Sequence, residues 1–123
     1  MRGAHATQLR GAMVALAFAI VSACSDSLVF TESELEARAR YSAVAVGTPE
    51  EALRSSLGDA PIVMRANGVP ELRDRSLEGS QWRYFLPDRE IRGELWIYAE
   101  GTVYAYFFID ERGIVEHAHV VVS

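Results

Sequence analysis

The stretch from Glu94 to Val122 places the tightest constraint on the fold. Three runs rich in β-branched and aromatic residues, 94–99, 102–109 and 114–122, are separated by Glu100-Gly101 and by Asp110-Glu111-Arg112-Gly113. Short Gly-containing turns between such runs mark hairpins, so the spacing predicts an antiparallel meander. Alternation puts Val103, Ala105, Phe107 and Ile109 on one face and Tyr104, Tyr106 and Phe108 on the other. Leu95, Ile97 and Ala99 likewise alternate with Trp96 and Tyr98. A sheet with one solvated face would alternate apolar with polar. This one is apolar on both faces and must be covered twice. The aliphatic face suits a helix. The aromatic face calls for the 66–80 loop, the first helix or a partner protein. Aromatic clusters rimmed by polar groups are typical of protein interfaces, so Trp96, Tyr98, Tyr104, Tyr106 and Phe108 are the candidate partner-binding residues.

Two helices are expected upstream. Thr31 with Glu34 three residues later forms a capping box, and Glu34–Arg38 and Glu36–Arg40 are spaced for i,i+4 ion pairs. Leu35, Ala39 and Ser42 make a thin apolar stripe on this first helix. Thr48-Pro49-Glu50-Glu51 signals a second start, with Thr48 at the N-cap and Pro49 at the first helical position. Ala52, Leu53, Ser56 and Leu57 form its apolar stripe, and Gly58 and Pro61 end it. Ile62-Val63-Met64 reads as a brief strand and Trp82–Leu86 as a strand stopped by Pro87. The polar stretch 66–80 reads as a long connection with room for one helical turn at Glu71–Arg75. The fold class is α+β: one or two short N-terminal helices packed on an antiparallel three- to four-stranded β-meander.

The N-terminus speaks to location. Arg2 and Arg10 precede an uncharged apolar run through Val21, too short beside the roughly 20 residues of a membrane-spanning helix. Small residues then lead to Cys24, the only cysteine in the chain. Val21-Ser22-Ala23-Cys24 fits the lipobox pattern of branched aliphatic, small residue, Gly/Ala/Ser and Cys. There the thiolate accepts a diacylglyceryl group and the cysteine becomes the first mature residue. A single thiol also suits an oxidising compartment. Residues 1–23 are read as a lipoprotein signal peptide, 24–30 as a lipidated tether and 31–123 as one α+β domain. With Ser25 after the cysteine, the expected location is the bacterial envelope, lipid-anchored at the outer membrane and facing the periplasm. All 17 acidic residues follow Cys24, whereas two of the 12 basic residues precede it. That balance argues against nucleic acid as a partner.

Candidate chemistry is sparse. His117 and His119 share one face of the last strand, a geometry that suits zinc or copper, but no cysteine and no well-placed third ligand accompanies them. Asp110 and Glu111 could act as an acid–base pair, but Asp-x-x-Gly is also a turn whose acid satisfies backbone donors. Ser55 and Ser56 have no histidine beside them. The sequence carries no phosphate loop, nucleophile elbow or zinc-protease motif. No catalytic residue, metal or cofactor is expected.

The lipobox, the run Val46-Gly47-Thr48-Pro49-Glu50-Glu51-Ala52-Leu53-Arg54-Ser55-Ser56-Leu57-Gly58, Trp96-Ile97-Tyr98, and Phe108-Ile109-Asp110-Glu111-Arg112-Gly113 together resemble the SmpA/OmlA family of small outer-membrane lipoproteins. The resemblance covers roughly 46–61 and 94–122. Asp59-Ala60 separates Gly58 from Pro61 where that family usually has one residue. The resemblance implies a BamE-like fold and a non-enzymatic accessory role in outer-membrane assembly or integrity through an envelope protein partner. The alternative is a periplasm-facing inhibitor or ligand-binding module that uses the aromatic sheet face.

Overall fold

The computed structural model describes residues 29–66 and 68–122. The expected signal segment, Cys24 and tether residues 25–28 lie outside the described residues. From Thr31 the order is α1 (Glu32–Ser42), α2 (Glu50–Leu57), β1 (Ile62–Arg65), β2 (Pro70–Leu72), 3-10 turns at Arg75–Leu77 and Gln81–Phe85, β3 (Glu94–Glu100), β4 (Val103–Ile109) and β5 (Val115–Val122). The five strands form one antiparallel sheet ordered β2-β1-β3-β4-β5. The fold is thus α+β with helices on a sheet, one strand larger than the sequence suggests. The extra strand, β2, lies within the expected 66–80 loop.

The meander follows the sequence pattern closely. Glu100 pairs with Val103 across the two-residue loop Gly101-Thr102. Gly101 has φ +58°, a conformation that costs glycine least. The β4–β5 turn is built on Asp110, whose Oδ1 accepts the N–H groups of Arg112 at 2.9 Å and Ile114 at 3.1 Å. Burial pushes the Asp110 carboxyl up, but these bonds and the Arg112 side chain outweigh it and hold the group below its usual range. The turn reading of Asp110 is therefore the observed one.

Helix α1 starts as expected, with the Thr31 hydroxyl accepting from Glu34 N–H and Glu34 Oε1 accepting from Thr31 N–H. Its buried face differs from the expected Leu35, Ala39 and Ser42. Glu34, Ala37 and Tyr41 are buried, and Leu35 is exposed. The reason lies 68 residues away: Glu34 Oε2 accepts the Thr102 N–H at 2.7 Å and the Thr102 hydroxyl. The carboxylate thus ties the start of α1 to the β3–β4 turn. These bonds, first the Thr102 hydroxyl and then the Thr31 and Thr102 N–H groups, hold the Glu34 carboxyl down at about 2 despite its burial. Gly101 permits this approach, because a Cβ there would stand 2.6 Å from Glu34 Oε2.

Helix α2 begins one residue later than expected. Thr48 is not its cap; its hydroxyl donates to the Ala45 carbonyl at 2.7 Å. Pro49 is extended and forms an antiparallel bridge with Ile114, so the helix opens at Glu50. Leu53 is its one buried side chain, whereas Ala52 and Ser56 face solvent. Gly58 ends the helix, its N–H donating to the Arg54 carbonyl at 2.8 Å.

Two layers cover the sheet. On one face α1 crosses β3, β4 and β5, with Tyr41 against Tyr98 at 6.1 Å and Tyr98 edge-on to Phe107 at 5.8 Å. The opposite face carries a cluster of Ile62, Trp82, Leu95, Ile97, Tyr104, Tyr106 and Phe108, flanked by Leu77, Phe85, Leu86 and Ile91. Its cover is the segment 75–92. Trp82–Leu86, expected as a strand, is a 3-10 turn. Residues three apart eclipse one another on such a turn, so Trp82 and Phe85 both reach the sheet while Tyr84 points outward, 84% exposed. The expected helical turn at Glu71–Arg75 falls instead at Arg75–Leu77, where Asp74 accepts the Ser76 N–H.

Candidate functional site

The register settles where the five aromatic candidates stand. Trp96 lies opposite Phe107 and Tyr98 opposite Ala105, so these belong to the helix-covered face. Leu95, Ile97 and Ala99 lie opposite Phe108, Tyr106 and Tyr104, so aliphatic and aromatic residues share the other face. All five candidates are buried: Trp96, Tyr98, Tyr104, Tyr106 and Phe108 are each at most 5% exposed. The expectation of an open aromatic contact face is corrected on this point, because the chain supplies both covers itself.

Three of the polar tips, those of Trp96, Tyr98 and Tyr106, are also committed internally. The Tyr98 hydroxyl donates to the Gly58 carbonyl at 2.7 Å, fastening the end of α2 to the sheet. The Tyr106 hydroxyl donates to the Trp82 carbonyl at 2.7 Å, fastening the second cover. Burial pushes both phenols well above the usual tyrosine range, reinforced by Asp59 near Tyr98 and by Tyr104 near Tyr106. Trp96 donates from Nε1 to Glu94 Oε2 at 3.0 Å and lies under the Arg54 guanidinium at 5.2 Å. Tyr104 stacks on Phe85 at 6.1 Å. The Tyr98 and Tyr106 hydroxyls each spend their one donor on a backbone carbonyl.

His117 and His119 do share a face, as their spacing predicts. They lie opposite Phe108 and Tyr106, with ring centroids 5.7 and 6.2 Å apart. Both are half-buried packing residues on the sheet margin. Among the described residues no group of three or more His, Cys, Asp or Glu side chains could hold a metal ion. Ser55 and Ser56 face solvent on α2.

Two features of the described surface are apolar or unpaired. One is an open apolar groove of about 360 Å³ lined by Met64, Gly68, Pro70, Trp82, Arg83 and Leu86. The other is the outer edge of β5. β5 ends the sheet on its side, and only its first residue is matched, by the segment 47–50. Gly47 N–H donates to the Val115 carbonyl at 2.8 Å and Val115 N–H donates to the Thr48 carbonyl at 2.9 Å. From there to Val122 no strand among the described residues lies alongside. Openness of an edge depends on the order of strands in the sheet, which no local run of residues encodes. Glu116 and the two half-buried histidines on the last strand are the sequence hint that this strand is marginal.

No helix among the described residues is long and apolar enough to cross a membrane. No protein-family model, curated protein or solved structure matches this chain, so the reading of its role rests on its own geometry and sequence.

Proposed function

We propose that this protein is a non-enzymatic, lipid-anchored envelope lipoprotein that acts as a scaffold or accessory factor in outer-membrane assembly or integrity. The observation that carries the reading is the lipobox-like run ending at Cys24, set only Ser25–Phe30 away from the helix cap at Thr31. Six residues span at most about 20–25 Å when extended. A lipid on Cys24 therefore keeps the folded domain within that distance of a bilayer. The domain's chemistry agrees with a contact role: the Tyr98 and Tyr106 hydroxyls are internally bonded, Asp110 serves a turn, and its histidines pack on the sheet. The part resembles that of SmpA/OmlA lipoproteins. The inhibitor reading needs an open aromatic sheet face, and Trp82, Phe85 and Leu86 occupy that face.

The test is metabolic labelling with a palmitate analogue in bacteria expressing the full chain, followed by separation of the membranes. Label should enter the wild-type chain, be lost on Cys24→Ser, and fractionate with the outer membrane. An unlabelled chain, or a Cys24→Ser chain that still restores envelope integrity to a deletion strain, would overturn the proposal.

A further inference from the structure

We infer that the free edge of β5 is a self-pairing surface, on which a second copy of this chain lays its own β5 antiparallel and joins the two sheets. The two edges of the sheet are treated very differently. β2 is three residues long, begins at Pro70, and carries Glu71 between Arg65 at 3.9 Å and Arg73 at 3.8 Å. Short length, proline and charge are the devices that keep an edge from pairing with another chain. β5 has none of them over residues 117–122. It is eight residues long, and Val115–Val122 contains no Lys, Arg, Pro or Gly. Its one charged residue, Glu116, lies beside the register shift at Phe108/Ile109 and reaches Arg92 at 3.9 Å. Residues 117–122 pair with β4 in unbroken register, and no strand among the described residues occupies their outer edge.

Among the described residues, the chain's own partner for this edge stops after one residue. Thr48 bends back through its N–H and hydroxyl to the Ala45 carbonyl, and Val46 leaves the edge 65% exposed. The occupant follows from the sequence of the strand. An antiparallel β5 pair related by a two-fold axis at Val120 sets Val120 opposite its own copy, His119 opposite Val121, and Ala118 opposite Val122. No like charges meet in that register; valine meets valine or alanine on one face, and the His119 ring meets Val121 on the other. The surface involved is small, below the roughly 1,200 Å² of stable complexes, so the pairing is reversible. The chain's net charge of −5 opposes it at long range. Salt therefore strengthens self-pairing, whereas it would weaken capture of a basic strand from another protein.

The experiment uses the full chain in detergent with Cys24→Ser, so that an introduced thiol is the only one. That background leaves the pairing testable whether or not the lipid reading holds. In the two-fold register the Val120 positions lie about 4.5–5.5 Å apart, within disulfide reach. Val120→Cys should give a disulfide dimer under mild oxidation at least about tenfold faster than Tyr84→Cys, which is exposed but off the edge. Raising salt should speed it. In sedimentation equilibrium, Val120→Glu should weaken the dimer by about tenfold or more while Tyr84→Glu leaves it unchanged, both with native circular dichroism. Equal oxidation rates for the two cysteine variants, or a wild-type chain that stays monomeric up to about 1 mM, the weak end of measurable association, would overturn the inference. So would oxidation in envelope membranes that links Val120→Cys only to other proteins.

Discussion

Replacing Trp82 with alanine tests whether the segment 75–92 is a true second cover. Trp82 is 2% exposed and lies against a cluster of six further buried side chains, Ile62, Leu95, Ile97, Tyr104, Tyr106 and Phe108. Its backbone carbonyl also receives the Tyr106 hydroxyl. Deleting the ring removes a large apolar group from a packed site, and Trp→Ala changes of this kind cost about 3–5 kcal/mol. A domain of this size has a total stability of about 5–14 kcal/mol, so the loss removes a large share of it. The assay is urea unfolding of the full chain in mild detergent. The chain has two tryptophans, so Trp96 remains as the fluorescent reporter, and it lies on the opposite, helix-covered face. The unfolding midpoint should fall with the denaturant slope little changed, and a dye that binds exposed apolar surface should brighten in native buffer. A destabilisation under about 1 kcal/mol, without added dye binding, would refute the assignment of this segment as the cover.

Tyr106→Phe keeps the ring and strands the buried Trp82 carbonyl, and should cost about 1–3 kcal/mol in the same unfolding assay. Gly101→Ala forces a side chain into positive φ and against the Glu34 carboxylate, so thermal melting should report a loss of more than about 1 kcal/mol. The Glu34 carboxyl is depressed from 4.5 to about 2 in the folded state, so its contribution is whole above pH 4.5 and disappears as pH falls through about 2. Glu34→Gln should flatten the acid limb of the stability–pH curve in that window, and an unaltered limb would remove Glu34 as its source.

The legible parts of this fold are those written in local periodicity. Residues 94–122 alternate with a period of two between glycine turns, and their strands fall where that pattern puts them. The Thr31–Glu34 box is likewise a three-residue signal and starts α1. What sequence could not give depends on contacts distant along the chain. Glu34 reads as a solvent-facing acid until Thr102 is brought to it, and that contact turns α1 onto Ala37 and Tyr41. Trp82–Leu86 has strand composition, yet it joins no ladder and serves as a plug whose spacing of three matches a 3-10 turn. The candidate contact residues failed for the same reason. Aromatic side chains on a sheet look alike in sequence whether a partner covers them or residues 75–92 do. The open edge of β5 was equally hidden, because it depends on which strand comes last in the sheet.

The three central and outer strands β3, β4 and β5 all come from residues 94–122, whereas both helices and the aromatic cover precede them. During synthesis the ribosome therefore delivers every covering layer before the surface it covers. Tyr41, Leu53 and Trp82 have nothing to bury against until the last hairpin is complete. Until then the chain lacks the central strands on which its helices and the 75–92 cover pack. The sheet is complete only when β5 closes onto β4. Moving the meander to the front of the sequence would reverse that order and give each cover its surface as it is made.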